Sequence, residues 1–323
     1  MTLLSQRFHG GPDASGAAHF DFSTNSNACG PCPTALAAIQ QADTTQYPDA
    51  SYTALRGQLA AFHGVDVQRI VLATSASEFI FRITAMVVRR GGNSVGLPPH
   101  SYGDYAHAAA AHRLKVIDSS AADLCWACEP SSPLGAAHQE WLNSHSAVQV
   151  LDQAYEPLRL SGVFSHAGDL HKFWQLYSPN KALGLTGVRA AYAIAPVDAA
   201  ADVETMNQLC PSWPIGAHGV AMLEAWTQPE SQAWLADSLS TLRLWKTQQV
   251  ALCESFGWTV LPSLANFFVC SADIDLAALR QQGIKLRDCT SFGLPDLVRI
   301  SVQPPVAQDA LRAALQIQAD SIQ

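Results

Sequence analysis

A serine, a lysine and an arginine stand in the pattern Ser178-x-x-Lys181-x-x-Gly184-x-x-Gly187-x-Arg189, within the run LYSPNKALGLTGVRAAYAIA at residues 176–195. The run is otherwise apolar and punctuated by glycine. Only 14% of the chain's residues are charged, and a buried charge without a partner is expensive. Two cations in such a stretch therefore point to a use. The lysine offers an amine that can attack a carbonyl, and the arginine a guanidinium that can neutralise an anion.

Three more polar clusters follow apolar runs. ATSASE (73–78) begins a helical pattern, so that backbone N–H groups of Ala76 and Ser77 could face an anion at a helix N-terminus, with Ser75 in the same cofactor-binding turn. VLDQAY (150–155) puts Asp152 at the end of a buried run with Tyr155 three residues on. PHSYGDY (99–105) offers the ring of Tyr102. Each has an ordinary alternative: a helix cap, a loop cap, a core tyrosine. Together they call for one ligand with a phosphate, a flat ring bearing a basic nitrogen, and a carbonyl open to an amine. Pyridoxal 5′-phosphate has all three. In that reading Lys181 forms the Schiff base and Asp152 keeps the ring nitrogen protonated, so the ring acts as an electron sink. Tyr155 bonds the phenolic oxygen and Tyr102 stacks on the ring. Ser178 and Arg189 join the 75–77 turn around the phosphate.

These residues need a scaffold that brings distant loops together. From about Arg69, short apolar runs (RIVLAT, NSVGLP, KVIDS, LCWAC, AVQVLD, FWQLYS, RAAYAIA) alternate with helical patterns. That alternation predicts a mostly parallel sheet covered by helices on both faces, with ligands beyond the carboxyl ends of its strands. Residues 1–37 read as an irregular arm. In YPDASYTALRGQLAAFHGV, Ser51 is expected to cap a helix whose apolar face is Leu55, Leu59 and Phe62. After Pro229 a long helical stretch leads into an α+β unit. The expected division is a large cofactor-binding domain over 38–229, and a smaller domain made of 1–37 and 230–323.

A length of 323 residues and 48% hydrophobic content suit a substantial core and a subunit interface. The net charge of −8 and the lack of a basic stripe argue against a nucleic-acid partner. No run approaches a membrane span, and MTLLSQRFHGG is unlike a secretory leader, so a soluble, cytoplasmic protein is expected. Among the eight cysteines, two pairs have C-x-x-C spacing, CGPC (29–32) and CWAC (125–128). Alone, these suggest redox or zinc chemistry. CGPC, however, follows a turn-rich segment, and CWAC lies in a strand-like run whose i and i+3 side chains diverge. Buried thiols, with no metal, are expected.

With S-x-x-K, G-x-x-G-x-R and D-x-A-Y in this order, the chain resembles the class I/II aminotransferase family of pyridoxal-phosphate enzymes (fold type I), from about His9 to the terminal helix. The resemblance implies a three-layer α/β sandwich with a mostly parallel central sheet and a smaller α+β domain. Within the family it is most similar to the branch of histidinol-phosphate aminotransferases and cobalamin-pathway threonine-phosphate decarboxylases. QYPDASYTALRGQLAAFHGV carries the branch's Tyr-Pro-Asp segment, whose tyrosine, here Tyr47, reaches the cofactor phosphate of the neighbouring subunit, implying a homodimer with shared sites. RDCTSFGLPDLVRIS resembles the C-terminal signature, by which Arg299 holds a substrate α-carboxylate and Arg287 the substrate's phosphate. FHGG, FSTNSN and PSWPIG resemble the decarboxylase group and bring His9, Asn25 and Asn27 toward substrate. The function expected by resemblance is therefore L-threonine phosphate decarboxylation, with transamination of the histidinol-phosphate type as the alternative. One departure is the segment EPSSPLG (129–135), where Ser132 stands at the place of the asparagine that serves the cofactor's phenolic oxygen.

Overall fold

The computed structural model describes residues 9–138, 148–164 and 167–322. Seven short strands form one sheet in the order Ile70–Ala73, Ala191–Ile194, Trp174–Tyr177, Val148–Asp152, Leu124–Cys128, Ser94–Gly96 and Lys115–Val116. Ala191–Ile194 is antiparallel to both its neighbours, and every other pairing is parallel. All seven fall in the apolar runs picked out from the sequence. Apart from the exposed edge strand Lys115–Val116 they are largely apolar and buried, because both faces are covered. Ile70 and Leu72 enter a core with helices Pro33–Gln41, Thr53–His63 and Ala217–Trp226, whereas Val71 and Ala73 enter the opposite core with Ala76–Arg89, Gly103–Ala111 and Ala200–Gln208. That is the two-residue period of a strand read out as three layers.

A second, antiparallel sheet has the order Arg287–Asp288, Leu297–Ser301, Phe267–Ser271, Thr259–Val260. It packs with the last helix, Pro305–Ile322, through Ile300, Leu311 and Leu315. The 27-residue helix Pro229–Ser255 joins the two units: Leu235 and Leu242 belong to a core of the large sheet, and Leu252 and Cys253 to the C-terminal core. At 1.5 Å per residue it spans about 40 Å.

The structure departs from the sequence expectation in three local respects. The arm is not wholly irregular, since Phe20–Asp21 pairs in parallel with Ile284–Lys285, a strand too short to leave a periodic signal. Ser51 does not cap the following helix. Tyr52 occupies the cap position with φ 49°, and Asp49 accepts from the N–H of Thr53 at 2.7 Å and of Ser51 at 3.1 Å. A carboxylate at a helix N-terminus gains from the dipole as well as the hydrogen bond, which a serine hydroxyl does not. Phe62 is exposed, and only Leu55 and Leu59 of the expected face are buried.

One histidine is held neutral within this framework. His63, at the end of its helix, bonds through Nε2 to the Tyr192 hydroxyl at 2.8 Å and lies against the ring of Tyr177. Burial lowers its pKa from 6.5 to about 4. Because the folded value is the lower one, the unfolded chain binds the extra proton between those limits. The contribution of His63 is complete above pH 6.5 and is lost as pH falls toward 4, by about 3 kcal/mol at most. Urea titrations at pH 7 and pH 4.5 should show a smaller acid-induced loss in His63→Gln than in the parent. Equal losses in the two proteins would remove His63 from the account.

Candidate active site

The carboxyl ends of the parallel strands open into a cavity of about 670 Å³, a size ordinary for a small-molecule site. Its walls bring together residues from the whole length of the chain. His9 and Asn25 come from the arm, and Ser75, Ala76 and Ser77 from the turn after Ile70–Ala73. Tyr102, Ser132, Asp152, Tyr155, Ser178, Lys181 and Arg189 come from the loops beyond the other strands, and Arg287 and Arg299 from the C-terminal sheet.

Lys181 sits on a turn that the rest of the fold fastens from below. Cys32 N–H donates to Leu183 O, Asn27 N–H to Lys181 O, and the Asn27 amide to Ala182 O. Gly184 has φ +70°, and a Cβ there would lie 2.5 Å from Gly30 O, so glycine is required both for the backbone angle and for the close approach. The amine itself is lightly held: its Nζ is 3.5 Å from Ser178 Oγ and 5.4 Å from the centroid of the Tyr155 ring. No carboxylate lies within ion-pair distance of it among the described residues.

Asp152 is almost fully buried at the end of its strand. Its Oδ2 accepts from the Tyr105 hydroxyl at 2.7 Å and its Oδ1 from the N–H of Ala154 at 2.9 Å. Burial raises its pKa, opposed by the Tyr105 hydroxyl, the charge of Lys181 and the Ala154 N–H. Tyr105 is stacked on Trp126, with centroids 4.4 Å apart. Burial, and then the neighbouring Asp152 charge, push its own ionisation far up, so it remains a donor. Asp152 is thus a desolvated carboxylate with two donors and no cation paired to it among the described residues. It is suited to a protonated ring nitrogen.

At the other end lies an anion cup. Ala76 and Ser77 open the 14-residue helix Ala76–Arg89, whose first N–H groups have no acceptor within the helix. The Ser75 hydroxyl is already used as a cap, accepting from Glu78 N–H at 3.1 Å, and Ser77 Oγ meets the Tyr102 hydroxyl at 3.2 Å. Arg189 is exposed at the cup's edge, next to the exposed Thr186 and Gly187.

The third feature is a pair of buried guanidinium groups. Arg299 donates to Ser132 Oγ at 3.3 Å and Ser23 O at 3.0 Å, while its buried Nε has no partner. Arg287 donates to Ser291 Oγ at 2.7 Å and Asp288 O at 2.8 Å. The Phe292 ring lies over both, 4.9 Å from Arg287 and 5.7 Å from Arg299. Burial lowers both pKa values, and Arg299 lowers that of Arg287 further. Two cations held this close call for an anion between them.

One expected site residue lies elsewhere. Asn27 is buried beneath the lysine turn, donating to Ala182 O and to Ser238 Oγ and accepting from Cys29 N–H. All its polar atoms are used, so it braces the turn and does not reach the cavity. Tyr47 is 78% exposed, stacked on Trp213 at 4.6 Å, and outside the cavity of its own chain. The cysteines are free thiols. Cys29 and Cys32 point at Ser238 and Ser231, and Cys125 packs with Leu151 and Phe173 while Cys128 falls in a different cluster. Among the described residues no group of histidine, cysteine or carboxylate side chains could hold a metal. Sequence reading missed Tyr105, Asn180, Asp104 and Phe292, all near the site. Tyr105 was within reach, because it is three residues after Tyr102 and so on one side of the same helix.

Comparison with known proteins shows the family and the fold. The family model described as aminotransferase class I and II matches residues 18–317. The chain is 27% identical to histidinol-phosphate aminotransferase 1 of Thiobacillus denitrificans, over 87% of this chain and 80% of that protein. Among solved structures it is similar to the histidinol-phosphate aminotransferase of Sinorhizobium meliloti in complex with pyridoxal 5′-phosphate (TM-score 0.80, 21% identity, 100% of this chain and 98% of the other). It is likewise similar to the L-threonine-O-3-phosphate decarboxylase of Porphyromonas gingivalis (TM-score 0.74, 22% identity, 93% and 99%). At these identities the structural likenesses establish the fold.

The Tyr105–Asp152 contact makes a simple prediction. Tyr105→Phe keeps the stack on Trp126 but removes a donor from a buried carboxylate. It should lower stability by about 1.5–3 kcal/mol in chemical denaturation. An unchanged midpoint would show that the hydroxyl does not support Asp152.

Proposed function

The chain belongs to the class I and II aminotransferase family, whose members depend on pyridoxal 5′-phosphate, and on that premise we propose that it transaminates a small amino-phosphate substrate, as a histidinol-phosphate aminotransferase does. The observation that carries the reading is the pair of buried guanidinium groups, Arg287 and Arg299, facing the same cavity as the lightly held amine of Lys181. The matching curated relatives favour transamination, which reverses the order of the two readings expected from the sequence. Decarboxylation of threonine phosphate stays as the second reading. His9, Gly10 and Asn25, from the segments that resemble the decarboxylase group, line the cavity.

The residues present fit the cofactor. Asp152 is a buried acceptor without a cation, Lys181 a free amine, and the 75–77 turn with Ser178 and Arg189 a cup for a dianion. When bound, the cofactor supplies an electron sink for the pair released from a substrate Cα bond. Asp152 keeps a proton on the ring nitrogen, aided by the donors that hold its carboxylate in place. Tyr155 donates to the ring's phenolic oxygen, and Tyr102 covers one face of the ring. Lys181 is the amine that would hold the cofactor's aldehyde and that would move the proton at the substrate Cα. Arg299 orients a substrate carboxylate and Arg287 the second anion, and Phe292 shields both from water. In this scheme residues 38–229 carry the cofactor, while the arm and residues 230–323 close over the substrate.

The partner is a second copy of the chain. Tyr47 projects from its own subunit on a platform made by Trp213, and the cup around Arg189 is open to solvent. Light scattering should give twice the chain mass. Tyr47→Ala should loosen the cofactor without dissociating the dimer.

The purified protein with added cofactor should show a yellow, borohydride-reducible absorbance that is absent in Lys181→Ala. Histidinol phosphate should convert the bound cofactor to its amine form without gas release, whereas carbon dioxide from threonine phosphate would establish the second reading. A colourless protein in excess cofactor would overturn both.

A further inference from the structure

We propose that Asn25, acting through Tyr155, tunes the acidity of the bound cofactor. This goes beyond the substrate contact expected for Asn25, and it rests on the cofactor reading above. The phenolic oxygen of pyridoxal phosphate carries negative charge when the imine beside it is neutral, so its donors set the pH at which the chromophore titrates. The cavity offers few such donors. Ser132 is one, since its Oγ accepts from Arg299 at 3.3 Å and keeps its own O–H to donate. Tyr155 is another, and its hydroxyl oxygen accepts from Asn25 Nδ2 at 3.4 Å. A hydroxyl that accepts one hydrogen bond becomes a stronger donor of the next, because each bond polarises the following one in a low-dielectric site.

Asn25 is suited to this by its burial. It is 3% exposed and lines the cavity, yet its Oδ1 has no partner. A buried amide normally has both ends satisfied. Here one end holds Tyr155, and the other is left for a donor on the ligand. The charged and titratable groups around Tyr155 are Lys181, whose Nζ is 5.4 Å from the ring, Arg299 of the C-terminal sheet, Tyr102 and Asp152 of the cavity wall, and the Cys128 thiol in the same buried cluster. The variants below replace none of these.

The sign follows from which form the bond favours. Donors stabilise the exposed phenolate of the deprotonated chromophore and so lower its titration midpoint. Asn25→Ala should raise the midpoint of the visible band, without substrate, by up to about one pH unit, the scale of one hydrogen bond to a charged acceptor. Asn25→Asp should raise it further, because a carboxylate accepts the Tyr155 proton and adds negative charge that favours the protonated imine. Tyr155→Phe should raise it too, and Asn25→Ala should add nothing in that background. Far-UV circular dichroism and the melting temperature of the apoprotein establish that each variant is folded. The proposal is overturned if folded Asn25→Ala and Asn25→Asp titrate as the parent does and only KM rises, or if the double variant shifts by the sum of the two. If the parent itself shows no cofactor band, the reading of the site fails instead. The two failures are therefore distinct.

Discussion

A carboxylate buried at the end of a central strand is the constraint around which this molecule is arranged. Asp152 would rather be in water, and the fold keeps it out of water with only two neutral donors to hold it. Such a group is tolerable where its surroundings cannot relax and where a cation is delivered from outside the chain. The stacked Tyr105 and Trp126 supply the rigidity, and the strand pairing of Asp152 with Cys128 and Leu176 supplies the registration. In the proposed function the cofactor's ring would supply the charge. Apolar packing on both faces of the sheet is thus the means by which one acidic group is held ready.

The opposite wall follows the same logic with the sign reversed. Arg287 and Arg299 lie across from each other in register on neighbouring antiparallel strands, with Phe292 shared between them. Their mutual repulsion is a standing demand for anions. The sheet that carries them is tied to the large unit by the helix Pro229–Ser255, and by the bond from His100 Nδ1 to Phe292 O at 2.8 Å. The cavity thus has an acid on one wall, two cations on the other and an amine among its lining residues, which the proposed function would use for a ring and a substrate.

The expectations that failed did so for identifiable reasons. Ser51 has the right residue type for a cap, but Asp49 reaches the same N–H groups with a charge. Asn27 has the right residue type for a ligand contact, but the turn beneath Lys181 needs three partners and claims every polar atom it has. The two-residue strand Phe20–Asp21 is below the length at which alternation can be seen. In each case the outcome was set by a competition among neighbours distant in sequence. Residue type alone does not reveal the winner.

The order of apolar runs and helical patterns was sufficient to determine a three-layer α/β fold, because two-sided burial and right-handed crossovers leave little choice for such a string of elements. The types and spacing of Ser178, Lys181, Gly184, Gly187 and Arg189 likewise pointed to an amine and a guanidinium on one stretch of chain, and Ser178, Lys181 and Arg189 do line one cavity. Tertiary structure decided what crosses between turns: that Tyr105 holds Asp152, that Ser132 faces Arg299, that Asn25 meets Tyr155 across 130 residues, and that Tyr47 points away from its own cavity. Periodicity reports which side of an element is buried. It carries no information about which buried side chain from another part of the chain arrives opposite, and contacts of that kind set pKa values and specificity.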